Sequence, residues 1–212
     1  MSTITQEQAD KITAYLASHI LPSWLGTEES ACSIAAINLA LTGKLTDKIP
    51  ACMSPVIGRW IIRIQDAMPS DMRNSAEWKR LLPLAAGTGR ELEPQRKAIA
   101  MEWMWSVVLP KLQPLADKGG YGDAWLRMTT EKTQGAALEA NKAAYVDAYA
   151  AAAAYADAYA SAYAAAAAAA DAAAAAYADA AAYAAAYAAA KAKFWAAVDP
   201  CKCLADMIAV TA

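Results

Sequence analysis

The order of apolar and polar residues in the first 134 positions indicates a series of amphipathic helices. The clearest pattern follows Ser54-Pro55, where apolar side chains recur at helical spacing and charged ones fall on the opposite face. Because proline is favoured in the first turn of a helix, we predict that this helix begins at Pro55. The apolar positions are Val56, Ile57, Trp60, Ile61, Ile64 and Met68, and the charged ones are Arg59, Arg63 and Asp66.

Proline, glycine and N-capping residues divide the rest of this part into further helices. Thr27, which two acidic residues follow, is predicted to open a helix, and Gly43 is predicted to end it. Pro83 is predicted to end another helix, because proline has no backbone N–H to donate. Besides the helix at Pro55, the predicted helices are residues 5–20, 30–42, 75–82, 93–109 and a segment that Asp123 caps.

Alanine dominates the last third of the chain. Residues 136–199 contain 40 alanines among 64 residues, and no Gly, Pro or Thr. Since alanine has the highest helix propensity, we predict one long helix there, about 96 Å in length. Its longest uncharged stretch, the 13 residues from Ala158 to Ala170, is shorter than the ~20 apolar residues that a membrane span requires.

The residues that interrupt the alanines are placed in a pattern. At about 100° per residue, a group of tyrosines shares about a third of the helix circumference, and the aspartates lie on the other side. Because so few charges accompany this stripe, we expect it to be covered. Three interpretations stay open: a structural spacer, a helix that pairs with another copy of the chain, and a ligand-binding face. The predicted interaction face consists of Tyr145, Tyr149, Tyr155, Tyr159, Tyr163 and Tyr177.

These patterns predict an all-α protein with a compact helical N-terminal domain followed by a long Ala/Tyr/Asp-rich helix. The expected boundaries are residues 1–130 for the domain, 131–199 for the helix and 200–212 for a short C-terminal tail. Six of the seven tryptophans lie within the predicted domain, and their large apolar surface is sufficient for an independent core.

Charge and composition argue against several classes of function. Residues 1–134 carry 15 basic and 14 acidic residues, and residues 135–212 carry 4 and 7. Neither part has the basic stripe that is typical of nucleic-acid-binding proteins. With a single histidine and no identifiable acid–base pair or nucleophile, we expect no catalytic residue, no cofactor and no metal site. The polar N-terminus and the absence of a C-x-x-C pair favour reduced thiols in the cytoplasm.

Three arginines and a tryptophan are candidates for binding an anionic ligand. Arg59 and Arg63 lie one turn apart with Trp60 between them, and Arg90 follows the loop Gly87-Thr88-Gly89. Backbone N–H groups of such a loop can hold a phosphate. The spacing nevertheless differs from that of the known phosphate-binding motifs, which favours a plain turn. We also expect Cys201 and Cys203 to be ordinary thiols.

Three segments resemble proteins that tailed bacteriophages encode: A-C-S-I-A-A-I-N-L-A-L-T-G-K-L-T-D at 31–47, C-M-S-P-V-I-G-R-W at 52–60, and L-P-L-A-A-G-T-G at 82–89. In that group a helical N-terminal domain precedes an alanine-rich helix. The resemblance covers about residues 1–130 and implies a phage origin without an assigned activity. The alanine-rich part also resembles alanine-rich antifreeze helices, although it lacks the threonines that those helices use.

We therefore expect a non-enzymatic phage accessory protein in the cytoplasm of the bacterial host. It would form homo-oligomers through the alanine-rich helix and bind a host or phage protein, and thereby act against a host process. One alternative is a protein that sequesters a nucleotide immune signal through Arg59, Arg63, Arg90 and Trp60. A weaker alternative is an ice-binding helix. We expect no nucleic-acid partner and no association with a membrane.

Overall fold

A computed structural model describes residues 4–133, 135–144 and 190–210 of the 212-residue chain. The described residues are predominantly helical and contain no strand, although one isolated bridge pairs Gly26 with Ala31. The prediction of an all-α protein is confirmed. The six tyrosines of the predicted interaction face, and most of the predicted alanine-rich helix, lie outside the described residues.

Short helices follow one another along most of the described chain. Residues 135–144 and 190–198 are also helical, and a π-helical turn, Met104–Val108, separates the sixth helix from the seventh. The helices are α1 (Gln6–Ser18), α2 (Ser33–Thr42), α3 (Pro55–Ala67), α4 (Ser70–Arg73), α5 (Ala76–Ala86), α6 (Glu93–Trp103), α7 (Leu109–Lys111), α8 (Gln113–Lys118), α9 (Gly122–Glu131) and α10 (Pro200–Ile208).

The chain forms two compact units. The first unit contains the residues up to Trp103 together with those from Trp195 onward, and the second unit runs from Met104 to Phe194. Residues 200–212 were expected to be a short tail. Instead they contain α10, in which Pro200, Cys201, Cys203, Leu204 and Met207 are buried.

The core of the first unit lies between α1, α2, α3, α5, α6 and α10. Helix α2 is buried on nearly all sides, with six consecutive buried residues from Ser33 to Asn38, as its apolar sequence predicted. The largest fully buried side chains there are Trp78, Ile12, Leu16, Leu21, Ile34, Ile37, Met53, Ile57, Ile61, Met68, Leu82 and Leu204.

The second unit has a smaller described core. Met128, Ala136 and Ala140 are buried, and partly buried side chains such as Trp105 and Trp125 pack against them. The indole Nε1 of Trp125 donates a hydrogen bond of 2.9 Å to the Leu109 backbone oxygen. Because alanines supply most of the buried positions, helices can approach closely here, but little apolar surface is buried.

Several predicted helix ends are wrong. The helix predicted over residues 93–109 ends at Trp103 and is followed by a π-helical turn, and Pro110 lies inside α7. Helix α9 begins at Gly122 without the predicted cap by the Asp123 side chain.

Helix α2 begins at Ser33, where the Cys32 sulfur accepts from the Ala35 N–H. Thr27 instead closes a tight turn, in which its backbone N–H donates to Ser30. Helix α5 continues through Pro83 to Ala86. Proline removes one backbone donor within α5, and the buried Ala85 and Ala86 stabilise the extra turn by packing.

Candidate functional site

The arginines that the sequence suggested as anion ligands lie on the surface. Arg59 and Arg63 are exposed on α3, and Arg90 is exposed in the loop that follows α5. The carboxylate of Asp66 accepts a hydrogen bond of 2.9 Å from the Gln65 side chain. A role for these arginines in ligand binding stays a prediction.

The loop from Gly87 to Arg90 has the hydrogen bonds of a plain turn. The N–H groups of Gly87 and Thr88 donate to the last carbonyls of α5, and that of Gly89 donates to Cys52 at 2.9 Å. The Arg90 N–H donates to the Glu91 carboxylate at 2.9 Å. Every backbone N–H of this loop is thus already engaged, so the loop does not present the free donors that a phosphate needs.

A buried arginine, which the sequence pattern did not single out, holds this loop in place. Arg96 is 2 % exposed. Its guanidinium donates to the backbone oxygens of Thr88 at 2.6 Å and Gly89 at 3.0 Å. The Thr88 hydroxyl in turn accepts from the Ser54 N–H at 3.0 Å. The loop therefore connects α3, α5 and α6, which is a structural role.

Trp60 belongs to a cluster of three tryptophans. Its ring lies 6.2 Å from that of Trp78 and 5.5 Å from that of Trp103, centroid to centroid. The indoles of Trp78 and Trp103 both have hydrogen-bond acceptors, at Ser33 and Val198. The buried Nε1 of Trp60 has no hydrogen-bond partner among the described residues. Trp60 is therefore a half-buried member of an aromatic cluster, with two indole rings packed beside it.

A second buried arginine fixes the start of the loop between α1 and α2. The Arg73 guanidinium donates to the backbone oxygens of Leu21, Gln65 and Met68 at 2.7–2.9 Å. Burial lowers the pKa of Arg73, and Asp66 opposes this shift. The Leu21 N–H donates to the Asn74 side chain at 2.7 Å. Leu21 is thus anchored through both its backbone N–H and its backbone oxygen.

Three large apolar side chains close to Leu21 in the sequence are exposed. Ile20 is 68 %, Trp24 61 % and Leu25 40 % exposed. We call these three residues the apolar loop surface. Several large apolar side chains exposed on one short segment are typical of an interaction site.

Hydrogen bonds hold the segment that carries the apolar loop surface. The Ser30 hydroxyl donates to the Ile20 oxygen at 3.1 Å, and the Tyr15 hydroxyl donates to the Glu28 oxygen at 2.6 Å. Gly26 has φ +85°, and a Cβ added there would lie 1.8 Å from the Ser30 oxygen. Only glycine fits this turn, so the loop has a defined conformation.

Two cavities of opposite charge border the start of α5. A groove of about 440 Å³ between α1 and α5, which we call the basic groove, is lined by Thr13, Leu16, Ala17, Asn74, Ala76, Lys79 and Arg80. A cavity of about 310 Å³ near α10, which we call the acidic cavity, is lined by Asp71, Met72, Ser75, Glu77, Trp195, Ala196, Asp199, Pro200 and Cys201.

The four cysteines are free, which agrees with the expected ordinary thiols. Burial raises the pKa of Cys201 and of Cys203 to about 12. It also raises the pKa of Cys32 and Cys52. Since the thiolate is the reactive and metal-binding form, these side chains are poor nucleophiles and poor metal ligands near neutral pH.

His19 lies at the C-terminal end of α1. Its Nδ1 is 2.7 Å from the Tyr15 backbone oxygen, and its ring stacks on that of Tyr15 at 3.9 Å. The contact requires the proton on Nδ1, because the carbonyl can only accept. His19 therefore caps the helix.

Within residues 4–133, 135–144 and 190–210, no three His, Cys, Asp or Glu side chains come close enough together to hold a metal ion. No helix in that part of the chain has both the length and the apolar character needed to cross a membrane. Comparisons with known protein families, curated proteins and solved structures found no match to this chain.

Proposed function

We propose that this protein is non-enzymatic and acts by binding other proteins. The observation that carries the proposal is the apolar loop surface, on which Ile20, Trp24 and Leu25 are exposed while the backbone beneath them is hydrogen-bonded. A loop whose backbone is already ordered loses little backbone conformational entropy when it binds. Tryptophan is also among the residues that contribute most to protein interfaces.

Negative charge in the same loop indicates which charge the partner carries. Glu28 and Glu29 are exposed and lie three and four positions after Leu25 in the same loop. Two carboxylates at the edge of an apolar surface favour basic groups at the edge of its partner. We therefore propose that the partner is a protein with an apolar concavity bordered by lysine or arginine.

Two further parts of the proposal are supported by the sequence. The tyrosine stripe favours self-association through a helix formed by the alanine-rich segment, and the segments resembling tailed-phage proteins favour a role in the cytoplasm of an infected bacterial cell. Acting against a host process is consistent with both parts.

Photo-crosslinking tests the role of the apolar loop surface. With p-benzoylphenylalanine at the exposed position 23, we expect a discrete protein adduct in bacterial cells, and we expect Trp24→Ser to abolish it. The same group at the exposed position 44 serves as the matched control. No adduct at position 23, or an equal adduct at both positions, would contradict the proposal.

Sedimentation velocity on the full chain tests self-association separately. We expect oligomers at tens of micromolar protein, and we expect replacement of the tyrosines at 145, 149, 155, 159, 163 and 177 by alanine to dissociate them. Replacing Asp147 and Asp157 by asparagine is the control, because the aspartates lie on the other face of the predicted helix. A monomeric wild type rules out this part of the proposal.

A further inference from the structure

We propose that the basic groove between α1 and α5 binds an acidic peptide segment that carries an aliphatic side chain. This surface is distinct from the apolar loop surface, and the inference does not depend on the proposed role of that loop. The groove has a volume of about 440 Å³, which is within the range of about 300–1,000 Å³ for small-ligand sites.

The floor of the groove is apolar. Leu16 is 1 % exposed and lies at the base. Ala17 and Ala76 flank it from the two helices, and their small side chains leave space above the leucine. A floor of this kind buries an aliphatic side chain of a partner, at a gain of about 0.8 kcal/mol per CH₂ group.

One cation at the edge of the groove is already positioned. The Nζ of Lys79 donates a hydrogen bond of 2.8 Å to the backbone oxygen of His19. An ammonium group has three N–H donors, so two are left for an incoming carboxylate. Because this hydrogen bond restricts the lysine side chain, binding a carboxylate costs less entropy than it would at a mobile lysine.

The second cation, Arg80, follows Lys79 directly and is exposed. Of the seven residues that line the groove, two are cationic and none is a carboxylate. The nearest acid on α5, Glu77, lines the acidic cavity instead. The charge of the groove is therefore not neutralised by its own walls, and an anionic occupant is complementary to it.

The remaining polar side chains of the groove already have partners. The Thr13 hydroxyl donates to the Ala9 oxygen at 2.9 Å. The Asn74 amide contacts both the N–H and the oxygen of Leu21 at 2.7 Å and 3.2 Å. Recognition is thus left to the two cations and the apolar floor, which favours an acidic segment with an aliphatic residue over a neutral polar ligand.

Selection from a random dodecapeptide phage-display library against the full chain tests this inference. We expect enrichment of peptides that combine Asp or Glu with Leu, Ile or Val. A synthetic copy of the most enriched peptide should bind at least tenfold more weakly to the Lys79→Gln/Arg80→Gln variant. The Lys44→Gln/Lys97→Gln variant removes two exposed lysines elsewhere in the first unit and should bind as the wild type does.

Reversing the charge at the exposed Arg80 tests more sharply whether the groove selects acidic peptides. Arg80→Glu should shift the selection away from acidic peptides, and circular dichroism should show an unchanged helix content. Trp24→Ser should leave peptide binding unchanged, which separates this inference from the proposed function. Chemical shifts of the Leu16, Ala17 and Ala76 methyl groups should move when the peptide is added.

Three results would overturn the inference. The first is enrichment of peptides without acidic residues, or an affinity that the Lys79→Gln/Arg80→Gln variant retains. The second is binding to phosphatidylglycerol vesicles that requires Lys79 and Arg80 while no peptide is enriched, which would assign the groove to a membrane surface. The third is dissociation of a dimer by the same double variant, which would make a second copy of the chain the occupant.

Discussion

The indole Nε1 of Trp103 donates a hydrogen bond of 2.7 Å to the backbone oxygen of Val198, across 95 positions of the chain. The backbone oxygen of Val198 needs this donor because the helical residues 190–198 end at Val198. Asp199 has φ 44° and ψ 73°, and Pro200 has no backbone N–H. The chain thus leaves the first unit at Trp103 and returns to it at Trp195.

Removing the Trp103 donor should destabilise the protein. Trp103→Phe keeps an aromatic ring but leaves the buried Val198 oxygen without its partner, at an expected cost of about 1–3 kcal/mol. Trp60→Phe is the matched control, because the Nε1 of Trp60 is buried and has no partner among the described residues. Urea unfolding should show a smaller loss for Trp60→Phe, and equal losses would contradict the structural role of this bond.

Truncating a core residue of α10 should also be costly. Leu204 is fully buried, so Leu204→Ala is expected to cost about 2–5 kcal/mol. Leu84→Ala is a suitable control, because Leu84 is 50 % exposed and its loss leaves no cavity. If thermal unfolding showed similar losses of stability for the two variants, α10 would not be part of the core.

Local sequence signals predicted some helix ends well. Helix α3 begins at Pro55, and the Ser54 side chain accepts from Ile57, as the Ser-Pro pattern indicated. Gly43 ends α2 in the left-handed conformation. In both cases the residues that define the end lie within a few positions of each other, so the sequence contains the whole signal.

Long-range contacts were not predictable in the same way. Arg73 and Arg96 have the sequence context of surface cations, yet both are buried with backbone oxygens as acceptors. The acceptors of Arg73 include Leu21, 52 positions away, and no local pattern encodes that pairing. The basic groove was missed for the same reason, since it combines residues of α1 and α5 that are far apart in sequence.

Arg96 should contribute more to stability than Arg90, although both lie at the same loop. Arg96→Lys cannot reach both the Thr88 and Gly89 oxygens with one compact ammonium group, and an unsatisfied buried acceptor costs about 1–3 kcal/mol. Arg90→Lys is the control, because Arg90 is exposed. Urea midpoints should separate the two variants. An unchanged midpoint for Arg96→Lys would contradict the structural role of the Arg96 guanidinium in holding the loop.

The buried thiols should make stability fall at alkaline pH. Burial raises the pKa of Cys201 and Cys203 from 9.0 to about 12. Unfolded thiols therefore lose their protons above pH 9, while folded ones keep theirs until about 12. The stabilising contribution of the two buried thiols is fully present below the unfolded pKa of 9.0. It is lost as the pH rises towards the folded pKa of about 12.

A variant without these thiols should be less sensitive to alkaline pH. Cys201→Ser/Cys203→Ser does not titrate in this range, so its unfolding free energy should fall less than that of the wild type between about pH 8 and about pH 10.5. All other titrating groups are common to both proteins and cancel in the comparison. Parallel pH profiles from urea unfolding would count against burial of the two thiols.

The turn at Gly26 links stability to the proposed binding surface. Gly26→Ala combines a positive φ with a Cβ 1.8 Å from the Ser30 oxygen, so the turn must rearrange. Gly43→Ala is the matched control, because Gly43 also has a positive φ but its added Cβ would meet nothing within 4 Å. The control should lose only about 1–2 kcal/mol from backbone strain. Gly26→Ala should lose more and should also abolish the photo-adduct at position 23. An adduct that persists in Gly26→Ala would mean that binding does not depend on the conformation of this turn.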